Sequence, residues 1–323
     1  MTRYARQTIL PQIGDRGQAR LACAHVLVVG AGGLGAPVLH YLAGAGVGHI
    51  TLVDGDRVAG HNLHRQPLYR MDQIGQPKAR AAADALSALN PEVGVTPVAD
   101  WLDPANAPAW VAAADVALDC ADTFAASLTL SDACRDSATP LITASALALA
   151  GYVAGCCGAA PSLRALFPDL PERGATCASA GVMGPVVGAV GALQAQMALA
   201  VLLGLEPSPL GQVIRLDAAG WRMAGFRFDT APEPAAPLPF IARSQTRADD
   251  LLIDLRAETA PFSLQARHIP PGAMATFTPP GAGRVVLACA TGLRAWRAGR
   301  ALQSRWPGRI ALAAIPPVTE PDA

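Results

Sequence analysis

Apolar residues in this chain fall in short runs separated by helix-like stretches. His25-Val-Leu-Val-Val29 is the first run. It ends in Gly30-Ala-Gly-Gly-Leu-Gly35, a helical pattern covers Pro37–Ala45, and a second run, Ile50-Thr-Leu-Val53, stops at Asp54. Strand, glycine turn, helix, strand is the opening that this pattern predicts. Runs at Val93–Val98, Val116–Leu118 and Leu141–Thr143, with helices over about Ala79–Leu89 and Phe124–Arg135, continue the alternation. The predicted fold class is therefore α/β, with a doubly wound, Rossmann-like, mostly parallel sheet. Leu141–Leu163 and Cys177–Leu205 are uncharged and long enough to span a bilayer. The first holds Thr143, Ser145 and a Gly-Cys-Cys-Gly turn, which predicts two buried strands. The second has Gly/Pro punctuation and then Gln194 and Gln196 inside a helix predicted over Val186–Leu203, which suits a core helix better than a membrane span. Pro, Ala and Glu crowd Ala231–Pro239. This predicts a linker at 231–242 between a first domain, 1–230, and a small C-terminal α/β unit, 243–323, opened by Leu251–Asp254 and Val285–Ala288.

Composition narrows the class. A length of 323 residues fits two domains. With 51% hydrophobic and 15% charged residues the chain is not intrinsically disordered. Lys plus Arg is 25 and Asp plus Glu is 25, so no basic field exists to gather nucleic acid or an anionic membrane, and neither is an expected partner. Seven cysteines form no C-x-x-C pair and the count is odd, which fits no complete disulfide framework. The opening Met-Thr-Arg-Tyr-Ala-Arg-Gln has no apolar signal core, so a cytoplasmic location is expected.

Gly30, Gly32 and Gly35 fit G-x-G-x-x-G, with Gly33 inside the turn. Missing side chains there let backbone N–H groups meet phosphate at a helix N-terminus. Asp54, ending the second strand, can accept from ribose hydroxyls. A nicotinamide enzyme, or a tight turn with no ligand, would look the same to this point. The next stretch of chain is different: Asp54-Gly-Asp56 leads to Asn62-Leu-His-Arg65-Gln66 and then to Gly75-Gln-Pro-Lys78 at a helix start. Cations after a nucleotide turn suit a triphosphate. Lys78 stands out because the other 24 cations are arginines, and an ammonium is a point charge that a planar guanidinium does not replace in a tight phosphate site. Asp119-Cys-Ala-Asp122 ends another strand. Asp119 reads as structural, while Asp122 is the candidate Mg²⁺ ligand, with a helix N-cap as its plainer reading.

These residues, with Arg3-Tyr-Ala-Arg6-Gln7 and Cys177-Ala-Ser-Ala-Gly-Val-Met-Gly-Pro185, run in one order across about residues 1–230. Together they resemble the ThiF/MoeB/HesA family, prokaryotic relatives of ubiquitin-activating enzymes. The resemblance implies adenylation, with MgATP, of the C-terminal glycine of a ubiquitin-like sulfur carrier protein ending in Gly-Gly, of the thiamine or the molybdopterin branch. By it Asp54 holds the ribose beside Asp56, Asn62, Arg65, Gln66 and Lys78 surround the phosphates over Gly30, Gly32, Gly33 and Gly35, and Asp122 binds Mg²⁺. Arg6 would reach the ATP of a partner subunit, which implies a homodimer. Cys177 matches a cysteine on the loop crossing the site that in some members bonds to the carrier; a buried small hydrophobe is the alternative.

Two departures change the expectation. The family's structural zinc uses two C-x-x-C pairs, but here the first reads Ser162-Leu-Arg-Ala165 and no cysteine lies between 178 and 288, so no structural zinc is expected. Thr123 replaces the usual Asn after Asp122. Beyond the linker, Leu251-Leu-Ile-Asp254-Leu-Arg256, His268-Ile-Pro-Pro-Gly-Ala273 and Cys289-Ala-Thr-Gly-Leu-Arg294-Ala resemble a short rhodanese-like domain. Its loop would aim N–H groups and Arg294 at the Cys289 sulfur, with a cysteine desulfurase as a source of sulfur; a degenerate remnant is the alternative. Cys23, Cys120, Cys134, Cys156 and Cys157 read as core. Three other functions stay open: a nicotinamide-dependent oxidoreductase, a non-catalytic carrier-docking partner, and activation of a small-molecule or tRNA carboxylate.

Overall fold

The computed structural model describes residues 3–170, 180–256, 265–281 and 283–315. Its main sheet has the order β3-β2-β1-β4-β5-β6-β7-β8. The strands are β1 (His25–Val29), β2 (His49–Val53), β3 (Gly94–Val98), β4 (Val116–Asp119), β5 (Pro140–Leu147), β6 (Ala150–Cys157), β7 (Gln212–Asp217) and β8 (Arg222–Arg227). Pairing is parallel from β3 to β5 and antiparallel from β5 to β8. The helices are α1 (Ala5–Thr8), α2 (Gly14–Cys23), α3 (Gly35–Ala45), α4 (Lys78–Leu89), α5 (Ala107–Ala112), α6 (Phe124–Ser137), α7 (Leu163–Leu166), α8 (Gly184–Leu203) and, in the C-terminal unit, α9 (Leu293–Gln303).

Side chains alternate across each strand, so both faces of the parallel half need cover. Val26 and Val28 join a core with α3, α4 and α8, while Leu27 and Val29 join another with α5 and α6. That double burial is why β1 and β2 read in sequence as continuous apolar runs. Helix α8 is long and apolar enough to cross a membrane, yet here it lies against α3, β4, β5 and β6 as the core helix expected. The expected Gly-Cys-Cys-Gly turn is corrected: the chain reverses at Ala148–Leu149, with Ala148 at a φ of 52°, and Cys156 and Cys157 close β6. Gly155 is there because the Pro209–Leu210 backbone crosses it, leaving no room for a Cβ. Cys23 is also corrected: it is exposed at the end of α2, whose buried positions are Gly17 and Leu21. Cys120, Cys134, Cys156 and Cys157 are buried, and burial pushes all four thiols above their ordinary range, Cys157 to about 12.

The C-terminal unit is a parallel sheet, β10-β9-β11-β12, built from β9 (Leu251–Asp254), β10 (Arg267–His268), β11 (Val285–Cys289) and β12 (Ile310–Ala314). The segment leading into it is packed rather than solvated, with Leu238, Phe240 and Ala242 buried. It runs beside β12, where Leu312 N–H donates to Pro239 (2.8 Å) and Ile241 N–H donates to Leu312 (2.8 Å). Leu128 of α6, Leu238, Phe240, Leu287 and Trp296 belong to one continuous core that extends through both units.

Candidate functional site

The glycine turn lies where crossovers leave β1 toward β2 on one side and β4 on the other, the switch point at which such sheets bind ligands. Gly30 has a φ of 98°, and a Cβ on it would sit 2.5 Å from the Cys120 carbonyl, so the turn is pressed directly onto the loop after β4. Gly33 lies against Val187 and Arg65, and Gly35 begins α3. Around Gly32, by contrast, there is room for a Cβ, with Gln66 Nε2 nearest at 3.6 Å. That space lies beside the Arg65–Gln66 segment and, among the described residues, is free for a ligand.

Asp54 ends β2 and shapes this turn. Its Oδ2 accepts from Ala31 N–H (2.6 Å) and its Oδ1 from Asp56 N–H (2.8 Å). Burial raises its pKa, opposed by Lys78 and by these two bonds. Lys78 opens α4 and is buried, 4% exposed, with Nζ 2.8 Å from Asp56 Oδ2. Asn62 is buried at the end of a short turn, and its carbonyl accepts from the N–H groups of Arg65 and Gln66 (both 3.1 Å), which brings those two residues to the glycines. Gln66 is buried, and its Oε1 has no hydrogen-bond partner among the described residues. Tyr69 was not foreseen: its hydroxyl donates to Ala31 (2.7 Å) and braces the turn from behind, and burial raises its pKa. Nothing in a loop tyrosine's local sequence marks such a role.

Asp122 is exposed and makes no hydrogen bond or ion pair among the described residues. The cap of α6 is Thr123, whose Oγ1 accepts from Ala126 N–H (3.3 Å), so Asp122 is not the cap; it follows Cys120 and Ala121, whose backbone meets Gly30. Asp119 points into the protein, accepting from Thr143 Oγ1 (2.8 Å) and Ala121 N–H (3.2 Å). Burial pushes its pKa up to about 6, which the bonds to Ser127 and Thr143 oppose. The folded state therefore binds the extra proton more tightly than the unfolded chain, and this stabilisation is present at low pH and is lost as pH rises through about 6. Asp119→Asn removes the penalty, so its melting temperature relative to wild type should climb between pH 5 and pH 8. A difference that is the same at both pH values would overturn this account.

Arg6 does not join its own chain's site. Helix α1 is held at the far ends of α3 and α4, where Gln7 Nε2 donates to Ala45 (3.0 Å) and Arg3 to Leu89 (2.9 Å). Helix α3 has 11 residues, roughly 16 Å at about 1.5 Å each, between that end and the glycine turn. Cys177 lies outside the described residues.

Cys289 ends β11 at 1% exposure, its Sγ accepting from the N–H groups of Gly292 (3.2 Å) and Ala295 (3.3 Å). Arg294 is at the exposed second position of α9, where its Nη1 donates to the Leu255 carbonyl (3.3 Å). The cysteine loop rests on the first turn of α6: Ala125 N–H donates to Thr291 (3.3 Å), two residues after Thr123.

At the family's first zinc pair, Ser162 caps α7, and its N–H and hydroxyl both donate to Glu233 (2.6 Å each). Arg164 binds Asp132 in bidentate fashion (2.7 and 2.8 Å) and donates to Leu238 (3.1 Å). These bonds hold the segment leading to the C-terminal unit. Protein purified without added metal is expected to contain no stoichiometric zinc; elemental analysis finding one zinc per chain would show a ligand set other than these positions.

A profile described as the ThiF family matches residues 4–237. The chain is 38% identical over 235 residues to the SAMP-activating enzyme E1 of Haloferax volcanii, covering 72% of this chain and 87% of that one. It is 40% identical over 220 residues to the molybdopterin-synthase adenylyltransferase of Escherichia coli, covering 68% and 88%. The adenylyltransferase and sulfurtransferase MOCS3 of Bos taurus is 45% identical over 219 residues, 67% of this chain but 48% of that protein, so the chain spans about half the length of such relatives. Among solved structures, Escherichia coli MccB with ATP superposes with a TM-score of 0.62 at 23% identity, covering 70% of this chain and 71% of that one. At that identity the likeness concerns the fold.

Proposed function

Because the chain belongs to the ThiF family, we propose that it is an ATP-dependent adenylyltransferase acting on the C-terminal glycine of a ubiquitin-like sulfur carrier ending in Gly-Gly. The observation that carries this is Gln66 Oε1, a buried acceptor with no donor among the described residues, beside a glycine cradle with room at Gly32. A buried acceptor left unpaired is costly, and a hydroxyl, amine or metal-bound water of a nucleotide would satisfy it. The names of the relatives, a carrier-activating enzyme and molybdopterin-synthase and MOCS3 adenylyltransferases, agree with this substrate class.

MgATP supplies an electrophilic α-phosphorus and pyrophosphate as leaving group. The chain's part is to hold and neutralise. The turn of Gly30, Gly32, Gly33 and Gly35 offers N–H groups at the start of α3 to phosphate, while Asp54 and Asp56 take the ribose. Asn62, Arg65, Gln66 and Lys78 surround the phosphates, and Asp122 would hold Mg²⁺. The carrier's carboxylate oxygen bonds to the α-phosphorus as the bridge to pyrophosphate breaks. Charge building on the phosphates is stabilised by Lys78 and Arg65, with no covalent help from the protein; a bound Mg²⁺ would add further neutralisation there. Arg6, turned away from its own site, serves the site of a second subunit, so the working form is a homodimer.

Cys289, cradled by two N–H groups against α6, carries sulfur from a donor such as a cysteine desulfurase to the adenylated carrier. The setting is cytoplasmic, with no membrane or nucleic-acid partner. Carrier-dependent exchange of labelled pyrophosphate into ATP tests the reading. Exchange absent with every carrier tried, with NADH bound instead, would replace it by an oxidoreductase.

A further inference from the structure

Helix α8 carries two glutamines, and their fates are opposite. Gln196 is exposed, while Gln194 is at 0% exposure amid an otherwise apolar helix. Burying an amide is costly unless its groups are bonded. Those of Gln194 are: Nε2 donates to the carbonyls of Asp119 (2.7 Å) and Ile142 (2.9 Å), and Oε1 accepts from the Cys120 thiol (3.4 Å). One side chain thus pins the end of β4 to β5 and grips both residues at the root of the 119–122 loop. That loop does two things for the site. The Cys120 carbonyl is the surface on which Gly30 rests, and Asp122 stands at the loop's end.

We propose that Gln194 is a positioning residue for the adenylation site, setting the Asp122 carboxylate against the glycine turn. The proposal rests on the adenylation reading of that site. Gln194 touches no substrate; it acts through Asp119 and Cys120. A conventional structural role, merely joining helix to sheet, predicts lost stability and nothing more. A positioning role predicts weaker metal binding, since groups that orient a metal ligand are worth about 10–100-fold in affinity.

The test uses the full chain, Mn²⁺ as the metal probe and a non-hydrolysable ATP analogue, with bound Mn²⁺ read by electron paramagnetic resonance. Amide hydrogen exchange reports on residues 120–122 and 30–32. Gln194→Met keeps the length and removes the amide. It should weaken Mn²⁺ binding in the nucleotide complex by about 10–100-fold and speed exchange in both segments. Leu203→Ala, a cavity at the other end of the same helix where Leu203 packs on Gly17 and Leu21 of α2, should lower the melting temperature and leave Mn²⁺ affinity at the wild-type value. If Gln194→Met does not accumulate as folded protein, Gln194→Asn, whose amide is one methylene too short, should show the same loss. Wild-type Mn²⁺ affinity in the folded Gln194 variant, or an equal loss in Leu203→Ala, would overturn the proposal. Wild-type protein that binds no Mn²⁺ with the nucleotide would instead overturn the adenylation reading, and this proposal with it.

Discussion

Lys78→Ala and Asp122→Ala should each slow carrier-dependent pyrophosphate exchange by about 10²–10³, the worth of one well-placed group opposite developing charge. The two variants reach that loss by different routes. Asp122 is exposed and unbonded, so its removal should change stability little, within about 0.5 kcal/mol. Any loss there is chemical. Lys78 is buried with its ammonium on Asp56 and beside Asp54, so Lys78→Ala leaves two carboxylates in the site without their cation. Lys78→Arg keeps the charge and should still be impaired, because a broad planar group does not occupy a buried ammonium site in the same way. Near wild-type exchange in either alanine variant would remove that residue from the site.

Cys289→Ser should retain full adenylation and lose all sulfur transfer, both thiosulfate sulfurtransferase activity and thiocarboxylate formation driven by it. The thiol lies at the end of β11 with two N–H groups on its sulfur, an arrangement that a serine oxygen can also accept without disturbing the strand. Cys177→Ser should keep persulfide loading at Cys289, so the two cysteines separate in assay. The loop is packed on α6, which ties the sulfur-bearing loop to the same helix whose start carries Asp122. After incubation with a sulfur donor, mass spectrometry should find a persulfide on Cys289. If none forms, the C-terminal unit is a remnant and sulfur arrives from another protein.

Strands β1, β2 and β4 were legible because both their faces are buried, which turns them into plain apolar runs ending at glycine or acidic residues. Strand β8 was not: every residue from Arg222 to Arg227 is exposed, so no alternation marks it. The Ala231–Pro239 stretch reads as a linker by composition, yet it ends in a segment paired with β12, because Phe240 and Leu238 join a core with Leu128 of α6 and with Leu287 and Trp296 of the folded C-terminal unit. Site residues were legible where they lie in one local motif. Contacts across the chain were not: the ion pair of Lys78 with Asp56, the brace from Tyr69 to Ala31, and the division of labour between Gln194 and Gln196 depend on helix and strand placement. Arg294 shows the same limit in reverse, since its position in a loop motif says nothing of the Leu255 carbonyl that holds it.

Lys78 has one more consequence, in what the enzyme cannot do to itself. An acyl-adenylate acylates any free amine it meets, and lysines near such a product are ordinarily its first victims. This chain has a single lysine, buried and engaged by Asp56, and its other cations are guanidinium groups that stay protonated and are poor nucleophiles. Its surface therefore offers no lysine side chain to the activated glycine. A carrier found covalently fixed to this protein through a side chain should be on a cysteine, as a thioester or disulfide that a thiol reductant or hydroxylamine can release, and not on an isopeptide bond that survives both.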